Sequence, residues 1–377
     1  MKLLKLVAAT ILFAAQVTTS VSHAQEVKVG FALPFTGHYA FLGVQAKKGV
    51  ELGMEEYNKS HANSKVKMVP VLQDQTGDKT KVTALMSQFA VREKVDLILG
   101  PIGTAEALAA APIVNELKVP TYTTAVSTDV LKAGPWSFKM WQDPGLLMNR
   151  VADQIIKSGV KTIVVTYMKD GDSYITFKNL AVARLKAGGV TVLSEEPQVS
   201  GDADFSALGT KLANLKPDAL FLGGLPEISA NVVVQAKRLG LPATTKLFGI
   251  GTLSTPSFAR IGGKDVEGTI IPTDYFHGTP GPVNAAFVNA YRAKHKEDPD
   301  LFAALGYQYT LIAAHAIDNA GPNPTRESIR AALANIKELP SVLGAGRYTL
   351  DEERVPSYGV TLVQYQSGKL VALGGTL

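Results

Sequence analysis

Short strand-like apolar runs alternate with helical patterns along most of the chain, and this alternation limits the fold more than any other feature of the sequence. Strands that alternate with helices form parallel sheets covered by helices on both faces. The alternation is interrupted near residue 144 and then resumes, and a single core seldom serves a chain of 377 residues. We therefore predict an α/β protein with two Rossmann-like lobes. The predicted strands cover residues 27–33, 68–73, 97–100, 121–124, 163–167, 191–195, 219–222 and 247–250.

The last quarter of the chain departs from this rhythm. Helical patterns over 283–296, 302–319 and 325–336 follow one another, and strand-like segments return only at 347–350 and 360–365. We expect these elements to complete the two lobes rather than to form a third.

The N-terminus has the pattern of a cleaved secretory signal. Lys2 and Lys5 precede an apolar run over 6–15, and Ser22-His23-Ala24 provides small residues for cleavage before Gln25. The run is shorter than the roughly 20 residues that span a bilayer. A membrane anchor is the alternative, but the polar stretch 16–22 argues against it. We predict a signal peptide over 1–24 and a periplasmic mature protein.

Composition excludes several classes of function. The chain has no cysteine, so disulfides, thiolate metal sites and a lipid-modified N-terminal cysteine are excluded. The formal net charge is +5 and the basic residues are scattered, which does not indicate a nucleic-acid partner. The six histidines lack metal-ligand spacing, and Gly249-Ile250-Gly251 lacks the third glycine of a dinucleotide motif. We expect no metal and no cofactor.

Two turns that carry hydroxyl groups follow neighbouring predicted strands. Gly103-Thr104 opens a helix whose free N–H groups can hold an anion, and Ser127 lies in a second such turn. Ligands of open parallel sheets bind beyond the carboxyl ends of the strands. Together the turns indicate a carboxylate site, although each hydroxyl can equally serve as a helix cap.

Gly171-Asp172-Ser173 permits an enzymatic alternative. The motif is found in hydrolases of the Gly-Asp-Ser type, and Asp274 with His277 could supply a base and its orienting carboxylate. Tyr174 occupies the next position, where those hydrolases have leucine. We keep a hydrolase as an alternative and expect that the chain is not an enzyme.

The ordered set of loops resembles the periplasmic leucine/isoleucine/valine-binding proteins, which have the type I periplasmic binding fold and serve ABC importers. The similarity covers nearly all of the mature chain. The matching segments are Thr36-Gly37-x-x-Ala40-x-x-Gly43, Asp74-x-x-x-Asp78, Gly100-x-x-Gly103-Thr104, Ala125-Val126-Ser127, Tyr174, Gly223-Gly224-x-x-Glu227 and Val266-Glu267-Gly268.

This resemblance implies a set of ligand-binding positions. Thr104, Ser127 and the backbone near Ala125 would hold a carboxylate, Tyr174 would close over the ligand from the opposite lobe, and Phe302 would contact its side chain. Gly103, Phe41, Leu225 and Gly251 complete the predicted site.

One position departs from the family pattern. Amino-acid binders of the family place a glutamate where this chain has Gly251, and Leu225 stands where a tyrosine is frequent. An ammonium buried without a counter-ion costs several kcal/mol. We therefore predict an aromatic or short aliphatic carboxylate as the ligand. Glu227 or Asp172 could replace the missing glutamate, so branched-chain or other amino acids are the alternative.

The resemblance also implies lobes joined by three crossings, near 140–141, 271–272 and 358–359. The predicted N-terminal lobe comprises 25–140 and 272–357, and the C-terminal lobe comprises 141–271 and 358–377. The implied partners are a permease and an ATPase of the inner membrane, and we expect a monomer.

Overall fold

The computed structural model describes residues 25–37 and 39–374 as two α/β lobes, each built on its own sheet and core. The predicted signal peptide and the last three residues lie outside the described residues. Within those ranges, no helix has the length and apolarity needed to cross a membrane.

The first sheet has five parallel strands in the order β2-β1-β3-β4-β5. Helix α1 on this sheet packs closely against the later helix α11 (Leu301–Asn319). Most residues of α11 are apolar, and most of them are buried. The elements are β1 Gln25–Leu33, α1 Ala40–Ser60, β2 Val66–Asp74, α2 Lys79–Ser87, β3 Leu97–Leu99, α3 Thr104–Glu116, β4 Thr121–Thr123, α4 Asp129–Lys132 and β5 Ser137–Lys139.

The second sheet has seven strands in the order β15-β14-β10-β9-β8-β6-β7. Its interior strand β8 is buried along its whole length, as expected for a parallel strand covered on both faces. The elements are α5 Pro144–Lys157, β6 Thr162–Met168, α6 Asp172–Ala187, β7 Thr191–Gln198, α7 Ser206–Leu215, β8 Ala219–Gly223, α8 Pro226–Arg238, β9 Lys246–Gly249, α9 Pro256–Gly262 and β10 Ile270–Thr273.

The remaining elements serve both lobes. Helices α10 and α11 pack on the first lobe, and a small antiparallel sheet of β11, β12 and β13 follows them. Strands β14 and β15 then join the second sheet in antiparallel pairing, so that sheet is mixed rather than wholly parallel. The elements are α10 Pro282–His295, α11 Leu301–Asn319, α12 Arg326–Ala334, β11 Leu339–Pro340, β12 Arg347–Leu350, β13 Pro356–Ser357, β14 Thr361–Gln366 and β15 Lys369–Ala372.

The chain passes between the two sheets three times, after β5, after β10 and after β13. Gln142 joins all three passages: its Nε2 donates to Asp274 Oδ1 at 2.9 Å and to the Gly359 carbonyl at 2.8 Å. Strand β10 continues to Thr273 in the second sheet, so the middle passage begins two residues later than the predicted limit at 271/272. The lobe limits themselves stay a prediction.

Candidate functional site

A cavity of about 340 Å³ lies between the lobes, beyond the carboxyl ends of strands from both sheets. Its wall includes Thr104 and Phe302 from the first lobe, Tyr174 and Gly251 from the second, and Trp141 from the first passage between them. Small-molecule sites in proteins span about 300–1,000 Å³. The volume of this cavity therefore suits a small molecule.

The start of α3 forms one end of the cavity. Gly103 has a φ of +112°, a backbone conformation that side chains rarely adopt, and it turns the chain from β3 into the helix. Thr104 is buried, and its hydroxyl oxygen accepts the Val126 N–H at 2.9 Å. The same hydroxyl lies 2.9 Å from Ser173 Oγ of α6, which is a hydrogen bond between the lobes. The lobes are therefore in contact at this end.

A carboxylate of the chain itself covers this helix start. Glu106 lines the cavity, is 7% exposed and accepts a hydrogen bond from its own backbone N–H. Burial raises the pKa of its carboxyl, while Lys79 opposes that change and Asp172 adds to it. Glu106 is not among the predicted site residues, although a glutamate in the first turn of a helix is a known capping signal.

Aromatic residues close the cavity from the side of the second lobe. Tyr174 is buried, and its ring packs so tightly on Gly171 that a β-carbon at Gly171 would lie 2.6 Å from Tyr174 Cδ2. Across the cleft, burial raises the pKa of Tyr39 to about 12, with further contributions from the carboxylates of Glu106 and Asp170. Both phenols therefore stay protonated at neutral pH and can donate hydrogen bonds.

The rest of the wall is largely apolar. Leu147, Met148 and Phe177 face the cavity from the second lobe, and Ile102 and Leu301 face it from the first. Such a surface favours an apolar body in the ligand, because burying apolar area contributes roughly 25 cal/mol per Å².

Five of the nine predicted site residues line the cavity, and four do not. Gly103, Thr104, Tyr174, Gly251 and Phe302 are on its wall, whereas Ala125, Ser127, Leu225 and Phe41 are not. The binding roles of the first five stay a prediction.

The four residues outside the wall have other environments. Ser127 Oγ accepts the Asp129 N–H at 3.1 Å, and Ala125 is fully buried. Leu225 packs in the second core. Phe41 contacts the ring of Phe302 edge-on, with 6.1 Å between centroids, and so supports the wall from behind.

The hydrolase arrangement is not assembled. Ser173 and Asp274 line the cavity, but the hydroxyl of Ser173 bonds to Thr104 and the carboxylate of Asp274 bonds to Gln142. His277 lies instead near Asp298, with Nε2 3.8 Å from Oδ2. The elements of a serine–histidine–aspartate triad are thus held by other partners.

Known proteins match almost the whole chain. The family model described as periplasmic binding protein matches residues 26–369. The Leu/Ile/Val-binding protein BraC3 of Rhizobium johnstonii is 27% identical over 351 residues, which cover 92% of this chain and 94% of that protein.

Solved structures have the same fold. A leucine-binding protein of Thermotoga maritima is 26% identical with a TM-score of 0.83, covering 92% of this chain and 98% of that one. An ABC-transporter solute-binding protein of R. palustris in complex with benzoate is 23% identical with a TM-score of 0.81, covering 93% of this chain and 97% of that one. The chain therefore belongs to the periplasmic binding protein family of the type I fold.

Proposed function

We propose that this chain is the periplasmic solute-binding subunit of an ABC importer and captures a small organic solute between its lobes. The observation that carries this proposal is the cavity whose wall is shared by both lobes and by the passages between them. No covalent chemistry is required of such a site, and the relatives at family level are solute-binding proteins rather than enzymes.

Capture by hinge closure follows from this geometry. A solute that rests on Thr104 and Phe302 alone would touch one lobe, whereas the closed arrangement adds Tyr174 and Gly251. A ligand shifts a conformational equilibrium only by its difference in affinity between the two states. Contacts with both lobes therefore favour the closed form, whose surface we propose is recognised by a permease with its ATPase.

The wall and the relatives support a solute with an aromatic or branched aliphatic body. The Rhizobium johnstonii protein is named for leucine, isoleucine and valine, and the R. palustris protein holds benzoate. These ligands are small and carry an apolar body, which matches the wall formed by Leu147, Phe177 and Leu301.

The charge of the ligand's head group is a separate question from the nature of its body. A carboxylate without an ammonium was predicted because Gly251 leaves no carboxylate at that position. Glu106, Asp170 and Asp172 nevertheless line the same cavity, so an ammonium would meet counter-charges there. Lys79 also lines the cavity and would attract an acid, so acids and amino acids both belong among the solutes to be tested.

The proposal is tested with the mature chain from residue 25, by thermal shift against amino acids, aromatic acids, short aliphatic acids and amides, followed by calorimetric titration. A solute at about 100 times its Kd adds about 2.7 kcal/mol to stability, which a thermal shift detects readily. We expect Thr104→Val to weaken binding of the best solute by about 5- to 30-fold, since it removes a hydroxyl that joins the cavity wall to the opposite lobe.

Thr210→Val is the matched control, because Thr210 is exposed on α7 and, within the part of the chain that the structure describes, its hydroxyl bonds only to the Ser206 carbonyl of the same helix. It should leave the Kd unchanged. The proposal fails if no solute stabilises the chain, or if Thr104→Val and Thr210→Val bind the solute equally well.

A further inference from the structure

Glu106 occupies the position at which a ligand anion would otherwise bind. The first turn of α3 faces the cavity, and the N–H groups of a helix start attract negative charge. Glu106 Oε2 lies 2.2 Å from the point where a β-carbon on Gly103 would be, so its carboxylate rests directly over that turn. The absence of a side chain at Gly103 is what gives this carboxylate its space.

The carboxylate of Glu106 is buried and has no cation of its own. Its exposed fraction is 7%, and its hydrogen bond is to its own backbone N–H. Among residues 25–37 and 39–374, Glu106 forms no ion pair and no hydrogen bond with another residue, and Lys79 attracts it only from beyond ion-pair distance. A buried carboxylate in this state can accept further hydrogen bonds from a molecule in the cavity.

Other carboxylates reinforce this charge. Asp170 and Asp172 line the cavity on the opposite side, and both, together with Glu106, act on the phenol of Tyr39. Lys79 provides the opposing positive charge on the described wall. A ligand carboxylate placed at the start of α3 would therefore face like charge in a poorly solvated site, which is unfavourable.

We propose that Glu106 determines specificity and that the solute presents to it an N–H-bearing head group, an ammonium, amidinium or amide, rather than a carboxylate. This inference rests on the proposed function, since it takes the cavity to be the solute site. The α3 start, which the sequence marks as an anion site, is then a site for a hydrogen-bond donor.

Matched ligands that differ only in the head group test this inference. Benzoate, benzamide and benzamidine share one aromatic body, and 4-methylpentanoate, 4-methylpentanamide and 3-methylbutylamine share a branched aliphatic body. The mature wild-type chain, Glu106→Gln and the control Glu116→Gln are titrated with all six by calorimetry. Glu116 is an exposed glutamate at the opposite end of the same helix.

We expect an N–H-bearing member of at least one set to bind the wild type ten or more times more tightly than its acid. Glu106→Gln should remove most of that preference, and Glu116→Gln should retain it. The inference is overturned if the acid binds the wild type as tightly as its partners, or if Glu106→Gln leaves the order unchanged. The wild-type comparison decides the matter even if Glu106→Gln does not fold.

These outcomes separate the inference from the proposed function. If benzoate or 4-methylpentanoate binds the wild type as tightly as the other members of its set, the inference is overturned and the solute-binding proposal stays intact. Binding of none of the six, together with no stabilisation by any solute of the wider screen, would overturn both.

Discussion

Asp274 gives the most quantitative prediction, because a buried carboxylate sits where the passages between the lobes meet. Its oxygen Oδ1 accepts from Gln142 Nε2 at 2.9 Å, and the hydroxyl of Tyr358 bonds to the same carboxylate. Burial nevertheless dominates and raises the pKa of Asp274 from 3.8 to about 6. The folded protein therefore holds the proton on this carboxyl more tightly than the unfolded chain does.

The sign of the pH dependence follows from that difference. Well below pH 4 the carboxyl is protonated in the folded and in the unfolded state, so burying it costs no charge. Above about pH 6 it is ionised in both states, and the folded state then bears the full cost of burying the charge. At about 1.4 kcal/mol for each pKa unit, the penalty at pH 7.5 is about 3 kcal/mol. Asp274→Asn removes the charge and keeps the shape and an acceptor for Gln142.

We expect Asp274→Asn to be about 1–3 kcal/mol more stable than the wild type at pH 7.5, after allowance for altered hydrogen bonds. The advantage should disappear as the pH falls from 6 to 4. Urea unfolding of both proteins at several pH values, followed by far-UV circular dichroism, measures the difference directly.

Asp218→Asn is the control for this experiment. Asp218 is fully exposed, and its pKa is lowered because it accepts the N–H groups of Lys161 and Thr162. The stability of Asp218→Asn relative to the wild type should therefore fall as the pH rises. This is the opposite of the trend expected for Asp274→Asn. A stability difference between Asp274→Asn and the wild type that does not vary from pH 4 to pH 8 would refute the reasoning.

Two glycines of the cleft give further predictions. Gly103→Ala should lower the free energy of unfolding by about 1–3 kcal/mol, because alanine is strained at a φ of +112° and its methyl group would overlap the carboxylate of Glu106. An unchanged urea unfolding curve would contradict this prediction. Gly171→Ala should weaken solute binding by about tenfold or more, because its methyl group displaces the Tyr174 ring; an unchanged Kd in calorimetry would show that Tyr174 does not contact the solute.

The sequence was sufficient for the fold class and for most of the strands and helices. Alternating strand and helix patterns predict most strands of both sheets. The turn at Gly103 and Thr104 lies on the cavity wall, and its binding role stays a prediction. Strands β5, β10, β11, β13 and β15 were not predicted, because each has only two to four residues, which is too short for a clear strand pattern.

The remainder of the site depends on contacts that local sequence does not reveal. Ser127 has the same sequence signature whether it binds an anion or caps a helix; in the structure its Oγ accepts the Asp129 N–H, and its binding role stays a prediction. Trp141 and Asp274 lie in different passages and far apart along the chain. Both line the cavity because the passages come together where the lobes are joined. From the sequence alone, Glu106 has the position of a helix-capping residue. Its place on the cavity wall depends on the second lobe, which lies opposite α3.

The most direct test of the central claim is the distance between the lobes with and without solute. The chain has no cysteine, so Thr80→Cys beside Lys79 and Ala203→Cys near Ser200 introduce a unique pair of spin labels at opposite sides of the cavity mouth. Double electron–electron resonance should show a long, broad distance distribution for the free protein and a shorter, narrower one with saturating solute. The same distribution in both samples, with binding confirmed by calorimetry, would contradict closure of the two lobes over a solute.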